Sequence, residues 1–459
     1  MIAAEPRIRP PLDHEFQPVR SQRKELREVL DCASYEERRA EGTLITMAVL
    51  RGGAKVHWRE FRILPHAGEA KAHNEWAVER WAKLLQWKVG GDVVTLSGCR
   101  ELADFLDALY APGGKRAFDR EFFRRIYKGT AAAGAAPLGG HWKGCRVGFD
   151  LGATDRKCAA VKDGEVVHTE EVAWNPGSFT DPRRHIEEIQ DSIRRAARKL
   201  PRVDAIGGCA AGIIVGGEIR RSSLFRGIPE DGYEALVRPV LREVRRPWKD
   251  APFAVLNDGA VTALAGARAL GRDCVLGLAM GSSLAAGYVH KGGCLPDTID
   301  ELAFVPIDDS ADAPRDPWSG ERGCAAQYLS QQGVVRLARA AGFGDQANNA
   351  PAEVLRFVQQ RMGAGDSAAF SIYESIGVYL GYALLQYLFF YAFTDVLLLG
   401  RVMSGPGGAV IISAAREVLD IELPGLGEKI ALGTLDERDK RHGQAVAAAS
   451  LPPGGGNGG

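Results

Sequence analysis

Two glycine turns, each lying between two apolar strands, constrain the fold of this chain most strongly. The first turn is Gly148 to Thr154, with the sequence GFDLGAT, and predicted strands flank it at 145–150 and 157–162. The second turn is Met280 to Ser283, inside a strand pair predicted for 273–290. Because each turn opens a β-rich half and helices follow, the pattern is typical of a duplicated α/β fold. The sequence therefore predicts an α/β protein with two related lobes.

The rest of the chain can be divided by length and composition. A chain of 459 residues is too long for one ordinary core. Thr130 to Gly140 reads TAAAGAAPLGG, which has the small-residue composition of a linker. Five segments are predicted: a small α+β extension at 1–130, a linker at 131–144, a smaller lobe at 145–258, a larger lobe at 259–435 and a largely disordered tail at 436–459.

Charge and apolar patterning exclude several classes of protein. Lys and Arg total 58 and Asp and Glu total 58. The chain therefore lacks the excess of basic residues that would indicate a nucleic-acid partner. The N-terminus lacks an apolar stretch of signal-peptide length and the eight cysteines are scattered, which indicates a cytoplasmic protein with reduced thiols. Ile376 to Gly400 is long enough to span a bilayer, but Gln386, Thr394 and Asp395 interrupt it. It is predicted to be a buried helix followed by a buried strand, and no membrane partner is expected.

The first glycine turn contains residues that are suited to binding a phosphate. Gly152 lets the backbone approach a ligand closely, and the hydroxyl of Thr154 can donate to a phosphate oxygen. Asp150, at the end of the strand, can hold a magnesium ion through water. The spacing is not that of a P-loop. The alternative is a plain β-turn, because such a short string arises by chance in hairpins.

Further segments follow in an order that resembles one known family. They are an apolar strand and glycine turn at 205–212, the Asn257-Asp258 pair with an alanine-rich helix after it, the second turn within 276–287, and a strand and glycine turn at 396–408. In this order they resemble the motifs of the ROK (repressor, open reading frame, kinase) family, over roughly the C-terminal two thirds of the chain. The resemblance implies an actin-like, ribonuclease H-like ATPase fold. It also implies an ATP- and magnesium-dependent kinase that acts on a sugar or sugar derivative.

The resemblance assigns roles to particular residues. Asp258 would be the general base that accepts the proton of the attacking hydroxyl, and Asn257 and Glu301 would contact the sugar. Asp150 would also be the metal ligand. The residues that would bind the nucleotide lie at the glycine turns and are Asp150, Gly152, Thr154, Gly281, Ser282, Ser283, Gly405, Gly407 and Gly408. The alternative for Asn257 and Asp258 is that they only cap the following helix, and the two roles are compatible.

The segment that corresponds to the family's sugar and zinc loop departs from the family pattern. The histidine position is Phe304, and the position of a second glutamate is Ala326. Pro317 and Ser319 occupy two cysteine positions, so that Cys324 alone remains. One thiolate cannot make the four-ligand site of structural zinc, and no zinc is expected. The loss of two directional sugar contacts indicates a substrate other than glucose or N-acetylmannosamine, or a reduced activity.

Two functions besides catalysis are weighed against the kinase. A non-catalytic sugar or nucleotide sensor of the same fold would use the N-terminal region to bind a partner. The missing histidine favours this sensor, whereas the intact Asn257-Asp258 pair opposes it. A DNA-binding repressor is disfavoured because residues 1–130 show no basic recognition helix. The expected partner is a small sugar, and a homodimer is compatible with the resemblance because dimers are common among similar proteins.

Overall fold

The computed structural model describes the chain with gaps, and its contacts divide the chain into two units. The described residues are 11–12, 16–18, 42–68, 70–130, 137–248, 250–425, 427–434 and 437–453. Unit 1 consists of the described residues of Met1–Arg124, Leu278–Ala286 and Glu301–Thr434, and unit 2 of those of Arg125–Gly277, Gly287–Asp300 and Leu435–Gly459. Each unit is therefore built from separate stretches of the chain, whereas the sequence predicts contiguous lobes.

The N-terminal part of unit 1 has an α+β layout. Strand β1 (Thr43–Arg51) lies at the centre of an antiparallel sheet with the order β2-β1-β3, where β2 is Ala54–Ile63 and β3 is Val93–Ser97. Ile45, Met47 and Val49 are fully buried because alternate side chains of a strand point to the same face. Three helices accompany this sheet: α1 (Ala70–Val89), α2 (Arg100–Tyr110) and α3 (Ala117–Tyr127).

Unit 2 is built around a five-stranded sheet with the order β10-β7-β4-β5-β6. Its strands are β4 (Cys145–Leu151), β5 (Asp155–Lys162), β6 (Glu165–Ala173), β7 (Ala205–Ala210) and β10 (Phe253–Asn257), and a small hairpin is formed by β8 (Ile213–Val215) and β9 (Glu218–Arg221). Strands β4, β7 and β10 run parallel, and β5 and β6 extend the sheet as an antiparallel meander. Helices α4 (Pro182–Ala197), α5 (Val240–Arg245) and α6 (Asp258–Leu270) belong to the same unit.

A further sheet has four strands in the order β12-β11-β13-β14. Its strands are β11 (Val275–Met280), β12 (Leu284–Val289), β13 (Asp395–Leu399) and β14 (Ala431–Gly433). Four helices of unit 1 follow β12 in the chain: α7 (Gln331–Ala340), α8 (Pro351–Gly363), α9 (Ser367–Tyr387) and α10 (Gly407–Glu422).

Helix α9 is the one described helix that is long and apolar enough to cross a membrane, yet 72% of its apolar window is buried within the protein. Glycines let it lie against α10: an added Cβ at Gly377 would be 2.6 Å from the Ile411 carbonyl oxygen, and one at Gly381 would be 2.5 Å from the Val418 side chain. Helix α9 is a core helix followed by the buried strand β13, as the sequence predicts.

Helix α11 (Glu437–Ala448) lies where the sequence predicts a disordered tail. It packs on the sheet of unit 2 at two glycines. An added Cβ at Gly148 would lie 1.8 Å from the Ala445 carbonyl oxygen, and one at Gly207 would lie 1.7 Å from that of Ala448. Small side chains permit this contact between backbones. The same small residues, close to a glycine-rich end, are also typical of a tail, so the helix is hard to predict from composition.

Candidate functional site

Three parallel strands of unit 2 end at one edge of their sheet. Strand β7 pairs with both β4 and β10, and Leu151 and Asn257 both lie opposite Ala210. Asp150 precedes Leu151 and Asp258 follows Asn257 in the chain, so the register brings two carboxylates to the same edge. Ligands of open α/β sheets bind at this edge, beyond the carboxyl ends of the strands.

Asp258 is the first residue of α6 and directly follows β10. Burial of its carboxyl group, together with the nearby charge of Asp150, raises the pKa of Asp258 to about 6. The backbone N–H of Gly259 donates to its Oδ1 at 3.0 Å, and this hydrogen bond offsets part of the rise. A carboxyl group with this pKa is mostly ionised at neutral pH and is a stronger base than an ordinary aspartate.

Asn257 caps helix α6. Its Oδ1 accepts a hydrogen bond from the N–H of Gly259 at 2.6 Å, and its Nδ2 donates to the carbonyl oxygen of Gly212 at 2.7 Å. The capping role considered for this residue is therefore present. The side chain also fixes the glycine turn after β7 against the start of α6. Contact between Asn257 and a sugar stays a prediction.

Asp150 lies in a buried charge cluster that contains two residues not predicted from the sequence. The thiol of Cys209 donates to its Oδ1 at 3.1 Å, and the Nζ of Lys157 lies 3.6 Å from its Oδ2. Burial raises the pKa of Asp150, and burial also raises the pKa of Cys209, which keeps that thiol protonated as a donor. The hairpin register places Lys157 directly opposite Asp150, so the tight turn in the sequence could have identified it as a cross-strand partner.

The first glycine turn is a closed hairpin between β4 and β5. The N–H of Gly152 donates to the carbonyl oxygen of Asp155 at 3.0 Å, and the hydroxyl of Thr154 donates to the Asp155 carboxylate at 2.9 Å. The indole N–H of Trp174 donates to the carbonyl oxygen of Gly152 at 2.8 Å. The donors proposed for a phosphate thus have partners within the turn and would have to exchange them for a ligand. Phosphate binding by Gly152 and Thr154 stays a prediction.

The second glycine turn lies in unit 1, at the tip between β11 and β12. The N–H of Gly281 donates to the carbonyl oxygen of Ser283 at 2.9 Å, and the carbonyl oxygen of Gly281 accepts from the N–H of Gln331 at 2.9 Å. Ser282 and Ser283 are exposed. Exposed hydroxyl groups on a turn that is fixed from both sides are available to a phosphate, and this role too stays a prediction.

The strand and glycine turn at 396–408, which are predicted to contact the nucleotide, lie beside the second turn. Gly400 follows β13 with a φ of +95°, and an added Cβ there would lie 2.3 Å from the carbonyl oxygen of Met280. Strands β11 and β13 therefore end next to each other. Gly405 has a φ of +76° and open space around it, whereas an added Cβ at Gly407 or Gly408 would meet atoms at 2.4 Å or 2.3 Å. Packing accounts for the last two glycines, and a nucleotide contact stays a prediction for all three.

Glu301 and Phe304 contact the N-terminal part of unit 1. The N–H of Glu301 donates to the carbonyl oxygen of Trp87 at 2.9 Å. The ring of Phe304 lies 4.7 Å from the ring of Trp87 and 4.8 Å from that of Trp318. At the position where the resemblance implies a histidine, an aromatic ring is therefore packed among other aromatic rings.

The segment that aligns with the zinc turn has donors that do not fit a zinc ion. The hydroxyl of Ser319 donates to Oδ1 of Asp316 at 2.8 Å. Burial raises the pKa of the Cys324 thiol to about 12, and its Sγ lies 3.6 Å from the carbonyl oxygen of Phe304. Zinc binds thiolates, whereas this one thiol is held protonated. Ala326 is buried and offers no side-chain oxygen.

A magnesium ion that binds together with a nucleotide needs fewer protein ligands than a structural zinc ion. In the part of the chain that the structure describes, no group of three or more His, Cys, Asp and Glu side chains is placed to hold a metal ion. Magnesium bound with phosphates needs only one or two protein carboxylates, because phosphate oxygens and waters complete its shell. Asp150 is the carboxylate predicted for this role, and magnesium binding by it stays a prediction.

Comparisons with known proteins give matches in structure but not in sequence. No protein-family model matches the chain, and no curated protein matches it. The ROK hexokinase from Thermus thermophilus superposes with a TM-score of 0.53 at 21% identity, over 66% of this chain and 96% of that chain. A ROK family glucokinase from Streptomyces griseus, solved with glucose and AMPPNP, superposes with a TM-score of 0.50 at 19% identity, over 67% of this chain and 98% of that chain.

The same fold also occurs in a regulator. A ROK family transcriptional regulator, a homologue of the E. coli MLC protein, superposes with a TM-score of 0.53 at 18% identity, over 67% of this chain and 78% of that chain. The α/β fold class and the structural resemblance predicted from the motifs are confirmed by these matches, and the part of the chain outside them is an extra region. Over two thirds of its length, the chain has the actin-like ATPase fold of the ROK family proteins, which serves both sugar kinases and a regulator.

Proposed function

We propose that this protein is an ATP-dependent kinase that phosphorylates a hydroxyl group of a sugar or sugar derivative, with Asp258 as the general base. The observation that carries the proposal is the Asp258 carboxylate after β10, whose pKa is raised to about 6 by burial and by Asp150. Such a base is ionised at neutral pH and still accepts a proton readily. The fold supports the proposal because a hexokinase and a glucokinase share it.

The proposed reaction needs a positioned hydroxyl group and a neutralised phosphate. Asp258 would orient the sugar hydroxyl and take its proton as the oxygen bonds to the γ-phosphorus of ATP and ADP leaves. Magnesium bound with ATP would neutralise the phosphate charge, and Asp150 is the carboxylate suited to hold it. The exposed hydroxyls of Ser282 and Ser283 would donate to the phosphates.

We infer that the sugar is recognised differently from glucose or N-acetylmannosamine. Asn257 and Glu301 are the polar side chains proposed to contact it. Phe304 presents an aromatic ring in place of a histidine, and Ala326 has no oxygen to accept from a sugar hydroxyl. A substrate with fewer hydroxyl groups to satisfy on that side would fit better, because an unpaired buried hydroxyl costs about 1–3 kcal/mol. We place the proposed reaction in the cytoplasm, where ATP is available.

A coupled assay of ADP release over a panel of hexoses, amino sugars and acidic sugars tests the proposal. Wild type should turn over at least one member of the panel, and Asp258→Asn should not. Asp231→Asn is a matched control, since Asp231 is exposed and belongs to the same unit. The kinase proposal fails if wild type and Asp258→Asn behave alike on every sugar.

The second candidate function is a non-catalytic sugar or nucleotide sensor. The packing of Phe304 against Trp87 and Trp318 favours it, because a residue implied to contact sugar is replaced by one that contacts other aromatic side chains of unit 1. A regulator also shares the fold. Thermal unfolding with ATP and with each sugar separates the two functions, since a sensor would show a raised midpoint with ligand and no release of ADP.

A further inference from the structure

The segment 301–324 of unit 1, termed here the 301–324 loop, contacts the N-terminal part of the same unit, residues 42–124. The first contact is between backbones: the N–H of Glu301 donates to the carbonyl oxygen of Trp87 at 2.9 Å. Trp87 is fully buried and lies in the last turn of α1. The position of Glu301, a proposed substrate contact, is therefore fixed by the end of a helix that is distant in sequence.

Aromatic rings from both segments form one cluster. Trp318 of the loop lies 5.1 Å from Phe118, 4.9 Å from Phe122 and 4.8 Å from Phe304, measured between ring centroids. Phe304 in turn lies 4.7 Å from Trp87. Phe118 and Phe122 lie on successive turns of α3, so their rings stack on one face of that helix. The loop is held at its middle by edge-to-face contacts, which are favourable beyond the area they bury.

Buried ion pairs join the same two segments. The Nζ of Lys83 donates to both carboxylate oxygens of Asp119 at 2.8 and 2.9 Å and lies 3.7 Å from Glu321 of the loop. Arg116 also pairs with Glu321. The indole N–H of Trp87 donates to Asp119 at 3.0 Å, which ties the charged group to the aromatic cluster.

The other side of the loop is held in a similar way. Arg80 of α1 pairs with Asp309. Residues 16–18 also contact the loop. The backbone N–H of Asp309 donates to the carbonyl oxygen of Gln17 at 2.8 Å, and the backbone N–H of Gln17 donates to Oδ1 of Asp308 at 2.9 Å. A cavity of about 380 Å³ lies between the loop and the N-terminal part, lined largely by these charged side chains.

The charged side chains of this contact are buried. The side chains of Lys83 and Arg116 are each 1% exposed and that of Asp119 is 2% exposed. If the loop left, Lys83 and Arg116 would lose the Glu321 carboxylate and would keep only Asp119 and Glu79 as partners. The aromatic side chains would be exposed to water at the same time.

We propose that residues 42–124 are an intramolecular clamp that holds the 301–324 loop, and with it Glu301, by side-chain contacts instead of by a bound metal ion. The clamp makes Trp87, Asp119 and Trp318 positioning residues. The role in positioning Glu301 for a sugar rests on the proposed kinase function, whereas the clamp itself does not. The proposal also gives residues 42–124 a role for which no partner protein is needed.

Hydrogen–deuterium exchange of the full-length protein without substrate tests the clamp independently of any turnover. Trp318→Ala should speed amide exchange across 301–324, the Glu301 amide included, by about tenfold or more, while exchange in β1 and α9 stays at the wild-type rate. Trp318→Phe should restore most of the protection. Trp58→Ala is the matched control, because Trp58 is 57% exposed on β2 and Trp318 is 40% exposed.

A chelator and a second variant complete the experiment. EDTA should leave exchange in the wild-type loop unchanged, and Arg80→Gln should loosen the side of the loop near Asp309. The proposal is overturned if Trp318→Ala and Arg80→Gln exchange at the rate of Trp58→Ala throughout 301–324. It is also overturned if EDTA speeds exchange of the wild-type loop. If exchange in the variants confirms the clamp and no sugar is turned over, only the kinase proposal is contradicted.

Discussion

At the scale of single residues, the raised pKa of Asp258 is the feature with the clearest functional consequence. Its carboxyl group is desolvated and lies near the charge of Asp150, and both effects oppose ionisation. A neutral side chain in this position would fold at lower cost. Perturbed carboxyl groups at the edge of an α/β sheet are typical of functional sites.

The pH dependence of catalysis should follow this pKa. A general base works only when deprotonated, so kcat/KM on an accepted sugar should fall about tenfold per pH unit below about pH 6 and level off above it. An aspartate with its ordinary pKa of about 4 would level off two units lower. Initial rates between pH 4.5 and 8 measure this, and a flat profile from 5 to 8 would argue against Asp258 as the base.

The same shift predicts that Asp258→Asn stabilises the fold at neutral pH. A carboxyl pKa raised from 3.8 to about 6 gives stability that is complete below the unfolded pKa and is lost as pH rises through the folded pKa. At pH 8 the wild type should therefore unfold more easily than Asp258→Asn, by about 1–3 kcal/mol. At pH 4 the difference should shrink. Urea unfolding of both proteins at the two pH values checks this, and equal midpoints at pH 8 would contradict it.

At the scale of helices and strands, local patterns predict the elements well and distant contacts poorly. Strands β4 and β5 follow from alternation and a tight turn, and the structure has them within a few residues of the predicted bounds. The pairing of Lys83 with Glu321 could not be predicted, because no local signal links two charges so far apart in the chain. Asp150 and Asp258 lie at the same edge only because the strand order of the sheet puts β4 and β10 on either side of β7.

Helix α11 supports the sheet of unit 2 through backbone contact, so the glycines beneath it should be sensitive to substitution. Gly207→Ala should destabilise the protein by about 1–3 kcal/mol or more, because its Cβ would lie 1.7 Å from the Ala448 carbonyl oxygen. Gly363→Ala is the control, since this helical glycine has no atom within 4 Å of the added Cβ. Thermal unfolding compares them, and a Gly207→Ala midpoint equal to the wild type would show that α11 does not pack as described.

At the scale of the whole molecule, the chain has a ROK-type fold over about two thirds of its length and a further region outside that match. The fold is shared by sugar kinases and by a regulator, so it does not decide between catalysis and sensing. What favours catalysis is the carboxylate pair at the sheet edge of unit 2. The loop around Phe304 and Trp318 is packed against Trp87 and Phe122 of the N-terminal part of unit 1.

The most direct measurement of the central claim is sugar phosphate formed from ATP by wild type and by Asp258→Asn under the same conditions. We expect wild type to give product with at least one sugar. Asp258→Asn should lower kcat by about 10²–10⁴-fold with a much smaller change in KM, because the lost base acts in the transition state. Asp231→Asn should match the wild type. Product formed by Asp258→Asn at the wild-type rate would contradict the assignment of Asp258 as the base and, with it, the proposed mechanism.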